Sequence, residues 1–417
     1  MTIKKNRLAS IILFVGVFSN LFLWDLKTFY ISQINEYNYY FLSSLRFIII
    51  LPLLFILKKI KKEEIKRVAI LFLFLLTHYI IIYFLYSVKL EFINIIYCFA
   101  ISLLFLIVIK FKKLIFFYIK KSYQLFLFIL LALTLINYLF YKDNISEFWQ
   151  ACSIFNIKNF FFKEYSHFAY LSVSILLYFL FTSRIKFFLF LFLVSVNLST
   201  TIIISLFLNS LIFLKNLLRF KYILLFLIFF SLLFFLYKKD CNQRLLGLNQ
   251  TLYNYLSNSV SDKNITEIEK YSLEDNKNLT FLVYKNNLII SLQSIKNNIL
   301  GWGVNNYSKA FFYYSDLNAD DISKYYGTSL EYKILNYNDG RSNFFKIIVE
   351  FGVFIFIFIF LFFYFFLSKN ISLEKKIIFI PAIITQFLSG SGYFNSGFIL
   401  FALLIYQELL VVKKKIF

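Results

Sequence analysis

Arginine is rare in this chain, and three of its arginines are candidates for binding a phosphate group. Lysine and arginine together number 44, of which only seven are arginine. The guanidinium group is planar and binds two phosphate oxygens at once, which the ammonium group of lysine does not do. Arg46, Arg244 and Arg341 are therefore candidates for a pyrophosphate site. The alternative for each is a local ion pair or a side chain that extends to the membrane surface.

The rest of the chain is dominated by apolar residues and predicts an all-α, polytopic integral membrane protein. Hydrophobic residues make up 60% of the 417 residues, and the mean hydropathy is +0.73. A soluble globule needs more charged residues to cover its surface. Apolar segments of about 20 residues cross a bilayer as helices. We predict about twelve such spans, near residues 8–26, 41–57, 68–88, 92–109, 122–141, 166–183, 187–197, 200–214, 222–237, 346–367, 377–389 and 396–412.

The positive charge of the chain follows from this topology. In one set of alternate loops, which includes the N-terminal segment, the only acidic residues are Glu63, Glu64 and Glu374. The net charge of these loops equals the +22 of the whole chain. The positive-inside rule then puts both termini in the cytoplasm. Arg46, Arg244 and Arg341 fall on the outer side, where topology does not require them. Because the basic residues mark topology, no nucleic-acid partner is expected.

One long polar segment divides the predicted bundle into three parts. Residues 1–237 form an N-terminal membrane bundle of about nine spans, residues 238–345 a large outer loop, and residues 346–417 a C-terminal bundle of about three spans. Within the loop, residues 289–299 have apolar side chains at helical spacing. The loop also contains aromatic residues that would form either a small core or a surface for stacking sugars. They are Tyr307, Phe311, Phe312, Tyr313, Tyr325 and Tyr326.

The junction between this loop and the next span contains the most specific pattern. Arg341 is followed by Ser342, ten residues separate it from Gly352, and Glu350 stands two positions before that glycine. The arrangement resembles the motif of Wzy-type O-antigen polymerases. It is also similar to the motif of O-antigen ligases, in which histidine stands where Arg341 stands here, so the arginine favours a polymerase. A second glycine, usual three residues later in many relatives, is replaced by Ile355.

A second segment supports this resemblance. Gly301 and Gly303 look like the Gly-x-Gly segment that precedes the arginine motif in this superfamily. Relatives often have an arginine some seventeen residues upstream, where the nearest cation in this chain is Lys285. The resemblance implies a GT-C-like membrane fold with a periplasmic catalytic loop. The substrate-binding residues that we expect are Arg46, Arg244, Lys285, Gly301, Gly303, Asp339, Glu350 and Gly352.

The resemblance also implies a reaction, the transfer of a glycan from undecaprenyl pyrophosphate to a sugar hydroxyl. The donor is already activated, so the protein needs a cation for the departing pyrophosphate and a base for the acceptor. Arg341 is the expected catalytic cation. Glu164 and His167, about one helical turn apart beside the sixth predicted span, are the candidate bases, and Asp339 and Glu350 are reserves. The alternative for Glu164 and His167 is capping of the helix entry.

Partners and rival functions follow from the same resemblance. The expected partners are an undecaprenyl-pyrophosphate-linked oligosaccharide, the lipid of the bacterial inner membrane and a chain-length regulator. No cofactor is expected, and no metal site either, because the two histidines and three cysteines are scattered. An O-antigen ligase is the close alternative. A flippase or other transporter of lipid-linked oligosaccharides is the alternative from another class, and it would place charged residues along several spans.

Overall fold

The computed structural model describes residues 2–22, 45–88, 91–141, 165–197, 199–213, 279–317, 336–390 and 392–416. Every regular element in these ranges is a helix, which confirms the predicted all-α class for this part of the chain. The longer helices are α1 Thr2–Phe22, α2 Lys62–Tyr86, α3 Phe92–Tyr141, α4 Tyr165–Thr182, α5 Arg184–Val196, α6 Thr200–Ile212, α7 Leu279–Asn297, α8 Tyr307–Leu317, α9 Asn343–Phe351, α10 Ile355–Leu367, α11 Leu373–Leu388 and α12 Phe398–Ile416.

Three helical stretches are long and apolar enough to cross a membrane, judged by length and composition. They are Lys62–Tyr86, Phe92–Ile136 and Asn343–Leu367, the last of which contains α9 and α10. Shorter apolar helices cover Arg7–Phe22, Phe168–Thr182, Thr201–Ile212 and Phe398–Val412. The described residues thus have the character of a helical membrane protein. The number of twelve spans and their orientation stay predictions, and the predicted span at 222–237 lies outside the described residues.

The prediction of a loop at residues 110–121 is wrong, because these residues are helical and belong to the 50-residue helix α3. The helix is kinked at Phe111, whose φ of −115° and ψ of 17° are not helical. Before the kink, Tyr97 packs on Phe394, with ring centroids 4.7 Å apart. After the kink, Phe126 stacks on Phe22 of α1 at 4.1 Å. Each half of α3 therefore packs on a different partner.

Ion pairs explain how the lysines near this kink stay within a helical bundle. The pairs are Lys110–Glu64 at 2.5 Å, Lys112–Glu408 at 3.3 Å, Lys120–Glu374 at 3.0 Å and Lys375–Glu408 at 2.8 Å. Glu408 thus joins α12 to both α3 and α11. A charge inside an apolar bundle is costly unless it is paired, and these carboxylates provide the partners. We call this region the ion-pair end of the bundle.

The second predicted span is also irregular where it is described. It consists of a 3-10 helix Leu45–Ile50, one α-helical turn Leu53–Ile56 and a 3-10 turn Leu57–Lys59. Pro52 accounts for the interruption, because it has no N–H to donate to the preceding turn. The prediction of one continuous α-helix over residues 41–57 is therefore wrong for residues 45–57.

The main core lies between α1, α3, α4, α11 and α12 and consists of interlocked aliphatic and aromatic side chains. Hydroxyl groups connect three of these helices inside it. The Tyr123 hydroxyl of α3 lies 2.8 Å from the Ser174 hydroxyl of α4, which donates to the Ile378 carbonyl of α11 at 2.7 Å. The buried hydroxyls of Tyr123 and Ser174 thus each have a partner, as buried polar groups require.

A smaller second core packs α7 and α8 against α9. Its buried members include Ile290, Trp302, Tyr307, Phe311, Tyr314 and Val349. Helix α7 contains residues 289–297, so the helical spacing read there is confirmed. Tyr307 and Phe311 belong to this core, whereas Phe312 and Tyr313 are exposed. Tyr325 and Tyr326 lie outside the described residues.

Candidate functional site

The two glycine segments that the sequence singled out are bonded to each other. The N–H groups of Trp302 and Gly303 donate to the carbonyls of Val349 and Glu350, both at 2.8 Å. The last carbonyls of a helix have no partner within it, and here the Gly-x-Gly segment provides partners for the end of α9. Val353 N–H donates in return to Ile299 O at 2.9 Å. The upstream segment and the end of the arginine motif therefore form one unit.

Two glycines allow this close contact between backbones. Gly352 has a φ of +55°, and a Cβ there would lie 2.1 Å from the carbonyl oxygen of Ile299. Gly301 has a φ of +84°, and its Cβ would lie 2.5 Å from the carbonyl oxygen of Glu350. A side chain is disfavoured at these φ values and would also meet backbone atoms that cannot move aside. The spacing of the motif thus follows from the packing of these segments.

The carboxylate of Glu350 is the centre of the site. It is 0% exposed, and its Oε2 accepts from the Asn305 N–H at 2.9 Å and from the Tyr393 hydroxyl at 2.5 Å. Its Oε1 accepts from the Tyr307 N–H at 3.2 Å. Hydrogen bonds to an ionised carboxylate are stronger than those between neutral groups. Glu350 therefore ties α9 to the start of α8 and to the loop before α12.

Lys346 provides the opposite charge one helical turn earlier. Its Nζ lies 3.4 Å from Glu350 Oε1 and donates to the Asn338 carbonyl at 2.5 Å, and the residue is 5% exposed. The ammonium group also lies over the rings of Tyr393, at 5.5 Å, and Tyr307, at 5.9 Å. Cation–π contacts of this length are favourable when water is excluded. We call Asn305, Tyr307, Lys346, Glu350 and Tyr393 the Glu350 cluster.

Tyr393 remains a hydrogen-bond donor in this cluster. Burial and the neighbouring Glu350 carboxylate raise the pKa of the Tyr393 hydroxyl well above its usual value. Both effects disfavour a phenolate, since the negative charge would be desolvated and close to another anion. The Asn305 N–H also reaches the Tyr393 oxygen, at 3.1 Å.

Arg341 lies on a tight turn next to the Glu350 cluster. Its φ of +61° is unusual for a residue with a side chain. Its carbonyl accepts from Gly390 N–H at 3.0 Å, and the side chain is half-buried. Ser342 follows as the N-cap of α9 and accepts from the Phe344 N–H at 3.1 Å. The turn is thus fixed on both sides of Arg341.

Asp339 belongs to the same turn and is half-buried. A Cβ on Gly392 would lie 3.1 Å from Asp339 Oδ1 and 3.9 Å from Lys346 Cε. The turn that carries Asp339 and Arg341 therefore packs on the loop that carries Tyr393. These two segments and the Glu350 cluster form the candidate site.

Further hydrogen bonds hold the Gly-x-Gly loop against α2 and α3. Asn94 Nδ2 donates to the Tyr79 hydroxyl at 3.0 Å and to Asn306 Oδ1 at 2.9 Å. His78 Nε2 lies 2.8 Å from the Leu300 carbonyl oxygen. The loop is thus bonded to three helices, which gives the site a rigid base.

An apolar cavity of about 840 Å³ adjoins the site. It lies between α2, α3, α9, α10 and α12, with Tyr393 at the site and Arg67 near the ion-pair end. Most of its wall is aliphatic or aromatic and includes Phe74, Phe105, Phe351, Phe358, Leu403 and Tyr406. Cavities of this size and character accommodate apolar ligands.

Six of the residues expected from the sequence meet at this site. They are Gly301, Gly303, Asp339, Arg341, Glu350 and Gly352. Lys285 is half-buried on α7, beside Tyr284, whose ring packs on Phe345 of α9. The side chains of both candidate bases and of two of the arginines lie outside the described residues. They are Glu164, His167, Arg46 and Arg244. The backbone of His167 lies in the first turn of α4, and that of Arg46 lies in the 3-10 helix Leu45–Ile50.

Sequence reasoning missed Lys346, Asn305 and Tyr393 as members of the site. For Lys346 a signal existed, because Lys346 and Glu350 are the charged residues of an otherwise apolar span and stand four positions apart. Asn305 and Tyr393 offered no comparable signal. Each reaches Glu350 from more than 40 positions away in the chain, and no local spacing predicts such contacts.

Comparison of the chain with protein-family models, with curated proteins and with solved structures gives no match. Its function is therefore inferred from the residues themselves. They combine a buried ion pair, a half-buried arginine and aspartate on a fixed turn, and an apolar cavity whose wall includes Tyr393.

Proposed function

We propose that this chain is a surface-polysaccharide polymerase of the O-antigen type, a glycosyltransferase that uses undecaprenyl-pyrophosphate-linked glycan. One observation carries the proposal: Tyr393 bonds to Glu350 in the buried cluster and also lines the apolar cavity. A ligand that occupies the cavity and reaches the site must be apolar along its length and polar at one end. A polyprenyl pyrophosphate linked to sugars has this composition.

The dimensions of the cavity suit a lipid chain. Along α12 its wall extends from Phe398 to Leu410, which is about 18 Å of helix. The hydrocarbon core of a bilayer is about 30 Å thick, so the cavity accommodates a chain that extends through more than half of it. The predicted orientation would place Tyr393 at the periplasmic face and the ion-pair end, rich in lysine, at the cytoplasmic face.

Arg341 is the proposed cation for the departing pyrophosphate. Its backbone is held in an unfavourable conformation by the Ser342 cap and the Gly390 bond. Strained residues of this kind concentrate at functional sites. A guanidinium group carried on this fixed turn is close to the leaving group before negative charge develops there, and such preorganisation lowers the barrier.

Glu350 and Asp339 have different surroundings, which indicate different roles. Both oxygens of Glu350 accept hydrogen bonds and the residue is fully buried, so its proposed role is to position the site. Asp339, half-buried on the Arg341 turn, stays a candidate base together with Glu164 and His167.

In the proposed reaction, the hydroxyl oxygen of one lipid-linked repeat unit attacks the anomeric carbon of the growing chain. The bond between that carbon and the pyrophosphate oxygen breaks, and the pyrophosphate leaves with the electron pair. The hydroxyl proton passes to the base, and Arg341 stabilises the charge on the undecaprenyl pyrophosphate. The product is a glycan one unit longer on the attacking carrier.

The test is complementation of a strain from which this gene has been deleted. We expect the deletion to leave single repeat units on the lipid core, whereas loss of a ligase would leave none. Arg341→Ala should not restore long chains although the protein accumulates normally, and the exposed control Arg184→Ala should. Normal long chains with Arg341→Ala would refute the assignment. Absence of lipid-linked units on the periplasmic side of the deletion strain would favour a flippase.

A further inference from the structure

An exposed pair of aromatic rings lies beside the candidate site. Phe312 on α8 is 43% exposed, Tyr337 on the turn before Arg341 is 36% exposed, and their ring centroids lie 5.4 Å apart at 42°. Tyr313 on the same helix is also exposed. The pair is thus an open aromatic surface on one edge of the site.

The packing of α8 on the second core does not require the Phe312 ring. The helix contacts the second core through its opposite face, where Tyr307, Ala310, Phe311 and Tyr314 are buried. Contiguous exposed apolar surface commonly marks a place where something binds. Phe312 is therefore available for a ligand rather than needed for the core.

The turn that carries Tyr337 is fixed in place. Gly340 N–H donates to Asn336 O at 2.9 Å, and the buried Lys346 ammonium donates to Asn338 O at 2.5 Å. A surface held in its binding conformation loses little conformational entropy when a ligand arrives. The same turn places Tyr337 four residues before Arg341.

We propose that Phe312 and Tyr337 bind a sugar ring of the glycan by stacking, which rests on the proposed polymerase function. A pyranose ring has one face of C–H groups, and the negative face of an aromatic ring attracts them. The hydroxyls at its edge need polar partners, and the same turn presents an exposed Asn338 and a half-buried Asp339. The sugar bound here lies next to the pyrophosphate that Arg341 stabilises.

Lipid headgroups are the other occupant to consider, since aromatic residues also collect at membrane interfaces. Replacing the aromatic residues by leucine distinguishes a sugar from a lipid headgroup, because leucine keeps an apolar surface but has no aromatic face. A sugar should lose affinity for a leucine variant, whereas membrane contact should not depend on the change.

The experiment measures binding of glycan to the full-length protein in lipid nanodiscs. The probe is the oligosaccharide mixture that mild acid releases from the surface polysaccharide of the same cells. Its binding is measured by saturation-transfer NMR. We expect the double variant Phe312→Leu, Tyr337→Leu to bind about tenfold more weakly. Phe312→Trp with Tyr337→Trp should retain binding, and so should the lipid-facing control Phe360→Leu. If the double variant does not accumulate, Tyr337→Leu alone, outside the core, carries the test.

Equal binding by the native chain and the leucine variants would overturn the proposal, as would no binding by the native chain. The length of the polymer made in cells distinguishes failure of the sugar-surface proposal from failure of the proposed function. If Arg341→Ala blocks polymer but the leucine variants keep native affinity and chain length, only the sugar surface is refuted. If Arg341→Ala leaves polymer unchanged, the proposed function falls and the sugar surface with it.

Discussion

The ammonium nitrogen of Lys346 lies 3.4 Å from the carboxylate of Glu350, one turn along α9, and both side chains are buried. Lys346 bonds to the turn before Arg341, and Glu350 bonds to α8 and to the loop before α12. The pair therefore joins α9 and the turn just before it to α8 and to the loop before α12, both of which are distant in sequence.

Glu350→Gln should be strongly destabilising. The substitution keeps the size of the side chain but leaves the Lys346 charge buried without its partner, which costs about 3 kcal/mol or more. The free energy of unfolding in a detergent titration measures the loss. Adding Lys346→Met should recover part of it, because the unpaired charge is removed.

The matched control is Glu374→Gln at the ion-pair end. Its partner is Lys120, and the Glu374 side chain is 41% exposed. Exposed ion pairs contribute about 1 kcal/mol or less. A loss at Glu374 as large as that at Glu350 would show that the buried pair has no special role.

Gly352→Ala should disrupt the packing of the Gly352 segment against the Gly301–Gly303 segment. The new Cβ would lie 2.1 Å from the Ile299 carbonyl at a φ of +55°, which combines backbone strain of about 1–2 kcal/mol with a collision. At Gly392 the atom nearest to a new Cβ is the side-chain Oδ1 of Asp339 at 3.1 Å, which can shift slightly, so Gly392→Ala should cost mainly the strain of its positive φ. Thermal unfolding of both variants tests the difference, and equal losses would contradict the proposed packing.

Ala402→Trp should close the cavity. Ala402 lies on its wall, so an indole there would occupy the space proposed for the lipid chain. We expect less co-purifying polyprenyl lipid in native mass spectrometry and shorter polysaccharide in cells. Phe360→Trp, on the adjacent exposed face of α10, should leave both unchanged. Full lipid retention and normal polymer in Ala402→Trp would remove the cavity from the mechanism.

Cysteine labelling tests the predicted orientation. Asn338 and Glu63 are exposed and lie at the site and at the ion-pair end, respectively. In a background with Cys152 and Cys241 changed to serine, Asn338→Cys should react with an impermeant maleimide added to intact spheroplasts. Glu63→Cys should react only after the membrane is opened. The reverse pattern would put Arg341 on the cytoplasmic side and end the proposal of a periplasmic reaction.

The local part of the site could be picked out from the sequence because its motifs resemble those of a known family. Glycines that allow positive φ, at Gly301 and Gly352, can be recognised as residue types, and the structure brings their segments together. The bonds from Tyr393 and Asn305 to Glu350 could not be predicted, since they depend on tertiary packing across the bundle.

The loop predicted at residues 110–121 failed for a related reason. These residues were the connection left between the predicted spans at 92–109 and 122–141, and the positive-inside rule assigned their lysines to the cytoplasmic side. Lys112 and Lys120 instead pair with Glu408 and Glu374, which are distant in sequence. Local composition gives the charge of a segment but not the partner that allows it to remain helical.

The most direct measurement is glycan transfer by the purified chain in nanodiscs, in the presence of a chelator. The substrate is the lipid-linked repeat unit extracted from cells that lack this gene. The native protein should form lipid-linked glycans of two or more units and release one polyprenyl pyrophosphate per bond. Arg341→Ala should lower this rate by about a hundredfold or more. No elongation by the native protein, or an unchanged rate in Arg341→Ala, would contradict the assignment.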